Sequence, residues 1–168
     1  HTAIECASTR MLKSAVKFRV TFECFDFCTH DWGIKHNPAH VVSCQFAIQY
    51  AFVSRECAEN TIRRVASVLC PGGFFIGTIP VHADTPSYEK VVIKLPDDKR
   101  ECVEFSAGRD ELERICTKNN LKLVQWASFD DFYNRAAAEN PELRDLMRAT
   151  ERPDPKNAVF AFMLIPPE

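Results

Sequence analysis

Glycine is scarce. The chain has five among 168 residues, and the first, Gly33, is isolated. A dinucleotide-type domain opens with a strand, a Gly-rich turn, a helix and a second strand ending in an acid. No such series is present. Long apolar runs are also missing, and none approaches the ~18–20 residues of a membrane span. No signal-peptide pattern opens the chain, and there is no internal repeat or low-complexity segment. Excess positive charge is absent too. The formal net charge is -2, which excludes a global basic footprint for nucleic acid. Any such contact has to be a local pocket, or to lie on another segment or partner. The chain starts at His1 rather than methionine. Together these gaps lead us to expect that the N-terminal part of a larger fold is lacking.

Cysteine, by contrast, is plentiful, with eight residues. Cys24, Cys44, Cys70, Cys102 and Cys116 sit among apolar residues at periodic positions. Free cysteine behaves as a small hydrophobe. Without a secretory signal, free thiols in a reducing, intracellular compartment are the expectation. Cys24, Cys28, His30, His36 and His40 raise the possibility of zinc. No second Cys or His pair has the spacing a zinc site needs, so no metal is expected. Composition is 46% hydrophobic and 26% charged over 168 residues, which suits one domain with a real core.

The chain is organised around Val41 to Phe52, Val-Val-Ser-Cys-Gln-Phe-Ala-Ile-Gln-Tyr-Ala-Phe. Val41, Val42, Cys44 and Phe46 fit a short buried strand. Gln45, Gln49 and Tyr50 put polar groups where it should end. Ligands of open α/β sheets sit at the carboxyl ends of strands. By itself the stretch reads equally well as a strand running into a solvated loop. Arg55 to Cys70 has helical spacing at Ala58, Ile62, Val65, Ala66 and Leu69, with Ser54 as N-cap. Pro71-Gly72-Gly73 stops that helix. Gly73 to Pro80 is a second short buried strand.

Ser43 to Phe52 and Pro71-Gly-Gly-Phe-Phe-Ile-Gly-Thr-Ile-Pro80 resemble central segments of the cellular mRNA cap guanine-N7 methyltransferases. Pro-Gly-Gly before a strand is common to many methyltransferases, whereas the Gln-Phe…Tyr-Ala-Phe and Phe-Ile-Gly-Thr-x-Pro pair is far more specific. The resemblance covers most of the chain and is weakest between Val81 and Arg100. It implies an α/β fold: a class I methyltransferase Rossmann-like sheet with flanking helices and an antiparallel last strand. The N-terminal Gly-rich strand-turn-helix would be absent. Residues 1–168 would form a partial methyltransferase domain with a small substrate-side hairpin near 88–105.

The resemblance also implies site residues. Asp31, just past an expected Lys17–Phe27 strand, matches the acid that accepts from the cofactor's adenine amino group, and the Trp32 N–H reaches the ring. A carboxylate is acceptor-only, which suits an exocyclic amine. The plainer reading of Asp31 is a turn or N-cap. Gln45 and Phe46 match positions lining the S-adenosylmethionine pocket, although Phe46 also reads as plain core. Gln49, Tyr50 and Pro80 fall on the substrate side. Glu104, on the return strand of the hairpin, matches the glutamate that reads guanine, whose N1–H and N2 amino group are adjacent donors. Taken alone, Glu104 is a solvated strand glutamate.

The remaining elements expected are a Thr2–Val16 helix, strands at Tyr88–Leu95 and Cys102–Phe105 around a Pro96–Lys99 turn, a helix Asp110–Asn119, a strand Leu121–Trp126, helices Phe129–Ala138 and Pro141–Thr150, and a final strand Asn157–Ile165. Tyr133 reads as packing. Three positions depart from the family: Gln49 stands for histidine, and Ile93 and Asn157 stand for aromatics. Base stacking contributes on the order of 1–3 kcal/mol, so losing two aromatics weakens a cap pocket. The expected activity is methyl transfer from S-adenosylmethionine to guanine N7 of capped RNA, by placement rather than by a catalytic acid or base. The expected location is nuclear or cytoplasmic. Expected partners are the capped RNA end and the lacking N-terminal segment or a partner chain. The alternatives are a non-catalytic or degenerate subunit supporting a partner, and a small-molecule methyltransferase.

Overall fold

The computed structural model describes residues 2–13, 20–29, 38–82, 84–94, 101–140, 142 and 157–166. An N-terminal helix α1 (Thr2–Lys13) precedes strand β1 (Ala39–Gln45). A 3-10 segment (Ile48–Val53) leads into α2 (Arg55–Val68) and β2 (Leu69–Pro80). A hairpin, β3 (Lys90–Lys94) and β4 (Glu101–Phe105), comes next. Helix α3 (Arg109–Lys118), β5 (Leu121–Ser128), α4 (Phe129–Glu139) and β6 (Asn157–Leu164) complete the fold.

The main sheet has the order β1-β2-β6-β5. β1 runs parallel to β2, and β6 lies antiparallel between β2 and β5. The last strand is therefore the inserted antiparallel one, as expected. One face of this sheet carries the core. Phe75, Ile79, Phe160 and Phe162 point into it, against Ala58, Ile62 and Val65 of α2 and Leu112, Ile115 and Cys116 of α3. Each of the buried valine, leucine, isoleucine and phenylalanine side chains stabilises the fold by roughly 1.5–3 kcal/mol. The opposite face is more open: Phe74 and Val41 stay 37% and 52% exposed. Helix α4 lies on that side, sharing a cleft with β1, β2, β5 and β6, and buries no residue fully.

Local signals account for the connections. Ser54 caps α2, its hydroxyl accepting from the Cys57 N–H at 3.1 Å. The helix ends at Val68, not Cys70, because Leu69 already belongs to the strand. Gly72 takes φ +77, a backbone state that costs other residues a steric clash. Gly77 serves a different need: a Cβ there would overlap the Cys44 carbonyl oxygen and the Phe160 ring. α3 ends where Asn120 adopts φ 58, matching the Asn119-Asn120 stop.

Three expectations need correction. Residues 20–26 form no strand. A strand exists only through pairing in a sheet, and neither sheet of the described residues includes them; Phe22 and Phe25 stay exposed. Val41 is not buried, because β1 is the edge of the four strands described. Strand β3 starts at Lys90 rather than Tyr88, whose φ of 76 takes it off the extended path. The expected 96–99 turn and 141–150 helix lie outside the described residues. All eight cysteines are free thiols.

Candidate functional site

The chain turns sharply where β1 ends. Phe46 takes φ 48, and its N–H is shared by the Thr78 carbonyl at 3.0 Å and the Thr78 hydroxyl at 3.1 Å. Its ring is 43% exposed and meets Phe129 edge-on at 5.8 Å, so Phe46 is not core. The turn launches the Ile48–Val53 segment, whose Ile48, Ala51 and Phe52 are buried. That anchoring sets Gln49 inward and Tyr50 outward. Gln49 is 1% exposed, the opposite of a solvated tip.

The hairpin closes over this segment. On β4 alternation points Glu104 inward and Val103 outward, and Glu104 is buried at 8% exposure. Its backbone faces Val91 across the hairpin. The root of the hairpin is tied by Tyr88 N–H to Ser106 O and Ser106 N–H to Glu89 O, both at 2.8 Å. Ser106 is itself buried, its hydroxyl donating to the Thr85 carbonyl at 2.9 Å.

Gln49, Tyr50 and Glu104 thus come together. Gln49 Nε2 donates to the Phe46 carbonyl at 3.1 Å and to Glu104 Oε1 at 3.4 Å. The Tyr50 hydroxyl donates to the same Oε1 at 3.3 Å. Burial first, and the Glu104 charge second, push the Tyr50 hydroxyl above its ordinary pKa, so it stays a donor. A buried carboxylate is costly unless it is bonded. Here its partners are two neutral, long hydrogen bonds.

The other expected residues are placed separately. Gln45 lines a cleft of about 360 Å³ with Ile76, Thr78, Gln125, Phe132 and Val159, and its amide donates to Ser43 Oγ at 2.9 Å. Pro80 ends β2, paired in register with Asn157 of β6. Ile93 lies opposite Cys102 on the hairpin. Asp31 and Trp32 lie outside the described residues. Sequence reasoning missed Thr78 as the partner of the Phe46 turn. It also missed Tyr88, which stacks on Phe52 at 5.4 Å and donates to Glu111. The only signal for Tyr88 was an aromatic at the start of a strand.

Residues 4–85 match the model of the mRNA (guanine-N(7))-methyltransferase domain. The chain resembles the cap guanine-N7 methyltransferases. A Caenorhabditis elegans mRNA cap guanine-N(7) methyltransferase is 46% identical over 44 residues, 26% of this chain and 12% of that protein. The Drosophila melanogaster enzyme of that name is 27% identical over 153 residues, 70% of this chain and 34% of that protein. The matches therefore span about a third or less of these cap methyltransferase relatives. In structure, an S-adenosylmethionine-dependent methyltransferase from Methanosarcina mazei overlays with TM-score 0.66 at 10% identity, covering 98% of this chain and 78% of that one. The N-methyltransferase NodS of Bradyrhizobium japonicum, solved with S-adenosyl-L-homocysteine, overlays with TM-score 0.56 at 12% identity, covering 99% and 62%. The fold is the class I methyltransferase fold.

Proposed function

We propose that this chain is the substrate-side part of an mRNA cap guanine-N7 methyltransferase. The observation that carries the reading is Glu104, a buried carboxylate without a cationic partner among its described hydrogen bonds, set beside Tyr50 and Gln49. Such a group is an acceptor waiting for donors, and guanine offers N1–H and the N2 amino group side by side. The family match over residues 4–85 supports the same substrate.

The cofactor supplies an electrophilic methyl group on a sulfonium. The residues at the carboxyl end of β1 fit it: Gln45 brings an amide donor and acceptor beside the Thr78 hydroxyl, and Phe46 brings an exposed ring. Asp31 and Trp32 are proposed for its adenine. Guanine N7 is unprotonated at neutral pH, so no group of this chain need remove a proton. The chain's own contribution is orientation and water exclusion: Glu104, Tyr50 and Gln49 fix the base edge, and Pro80 shapes the strand end next to it. A further segment of the domain or a partner chain is proposed to complete the site.

The test is Glu104→Gln in the full-length protein. An amide keeps the shape but faces one guanine donor with another donor. An unpaired buried polar group costs roughly 1–3 kcal/mol, so transfer to capped RNA falls about tenfold to a hundredfold. Binding of S-adenosylhomocysteine, measured by calorimetry on the same preparation, stays unchanged. Wild-type transfer by Glu104→Gln would sink the guanine-reading role. A wild type that transfers nothing but holds a partner chain stably would leave the non-catalytic subunit standing.

A further inference from the structure

One atom of the cluster lacks a partner among the described residues. Gln49 Oε1 is buried and accepts no hydrogen bond from them. The orientation of this amide is fixed by its other end, which points at two acceptors, the Phe46 carbonyl and the Glu104 carboxylate. Turning it over would set oxygen against oxygen at both contacts. The orphan is therefore an acceptor. Glu104 shows the complementary imbalance: both of its hydrogen bonds from the described residues fall on Oε1. The pocket keeps two acceptors in reserve, one on each of two residues already joined by a hydrogen bond.

Resting on the guanine reading above, we infer that the two donors of the base are read by different residues, with Glu104 Oε2 taking N1–H and Gln49 Oε1 taking the N2 amino group. Gln49 is then the residue that distinguishes guanine from a purine lacking the 2-amino group. A buried orphan acceptor favours a ligand that donates to it and disfavours one that cannot. The half-exposed Tyr50, bonded to the same carboxylate, is the side chain free to move as the base enters. Gln49 Nε2 keeps its bond to Phe46 throughout, so the amide is held at one end and receives substrate at the other.

Inosine tests this, because it carries N1–H and a nucleophilic N7 but no 2-amino group. The measurement is kcat/KM of the full-length protein on guanosine-capped and inosine-capped RNA. The wild type prefers the guanosine cap by about tenfold or more. In Gln49→Met, which keeps the length but removes the acceptor, the two caps are used within about twofold of each other. Because the readout is a ratio within one protein, any general loss from weakened folding cancels. A wild-type ratio that survives in Gln49→Met overturns the inference alone, since Glu104 would then read both donors; so does a wild type indifferent to the 2-amino group. A wild type that methylates neither cap overturns this inference and the guanine reading together.

Discussion

Two carboxylates near the hairpin are both withdrawn from solvent, and they are satisfied in opposite ways. Glu111, in the first turn of α3, is gripped by Arg114 through Nε at 2.5 Å and Nη2 at 2.7 Å. Tyr88 donates to it as well, and Arg55 approaches to 3.7 Å. Arg114 above all, with Tyr88, holds the Glu111 carboxyl down to about 2 from its ordinary 4.5. Among the described residues Glu104 has two neutral donors, each beyond 3.2 Å and both on one oxygen. A carboxylate paired by cations has no capacity left for a ligand. One held by long neutral bonds keeps an unfilled lone pair and a strong preference for a donor. Side by side, they separate the carboxylate that builds the fold from the one the fold presents.

That contrast can be broken by exchange of roles. Glu111→Ala removes the acceptor of the Tyr88 hydroxyl and leaves Arg114 its 3.2 Å contact to Glu59, and the expected loss is about 2–3 kcal/mol in urea-denaturation midpoint analysis. Glu104→Ala should lose less than about 1 kcal/mol, since Gln49 Nε2 keeps its bond to the Phe46 carbonyl and the half-exposed Tyr50 hydroxyl can rehydrate. If Glu104→Ala is the more damaging to stability, the assignment of roles is inverted.

Acid sharpens the same contrast. The folded-state value of Glu111 is depressed, so its contribution is fully present above about 4.5 and is lost as pH falls toward about 2. About 2 kcal/mol of it should be gone by pH 3, at ~1.4 kcal/mol per pH unit. Glu111→Gln should flatten this limb of the stability-pH curve, and an unchanged slope would show that the pair does not set it. The smallest effect belongs to Arg55→Ala. That guanidinium is 67% exposed and only 3.7 Å from Glu111. Surface pairs of this kind contribute little, so a change within about 0.5 kcal/mol is expected, against the full loss when Glu111 itself is removed.

Much of the fold could be read because its signals are local. Helical spacing and Ser54 gave α2, Pro71-Gly-Gly gave the turn into β2, and Asn119-Asn120 gave the end of α3. The antiparallel insertion of β6 came from family resemblance, not from its residues. What failed was decided by neighbours. Residues 20–26 carry a strand-like composition, but extended residues become a strand only where another strand offers its hydrogen bonds. Val41 looks like core by type, and its edge position leaves it half open. Gln49 looked like a polar tip, yet it is among the most buried side chains because Ile48 and Phe52 on either side are anchored. Glu104 could be placed through resemblance, while its partners could not, since a contact between residues 55 positions apart leaves no trace in local pattern. The Glu111 cluster shared that fate. Asp31 and Trp32 remain proposals for the cofactor.

The backbone at Phe46 has a consequence for the connection between the two sheets. A bulky residue at φ 48 costs on the order of 1 kcal/mol, and a glycine there would remove that cost. A glycine would also give the peptide many more conformations, and this peptide is the middle link of a chain. Thr78 holds the Phe46 N–H, the Phe46 carbonyl holds Gln49, and Gln49 holds Glu104. Four residues join the tip of β2 to the hairpin, which belongs to a different sheet. With phenylalanine in place the middle link has fewer backbone states open to it than glycine would allow. What the strained residue contributes is a narrowed set of conformations for the connection between the two sheets, a property that a melting temperature does not measure.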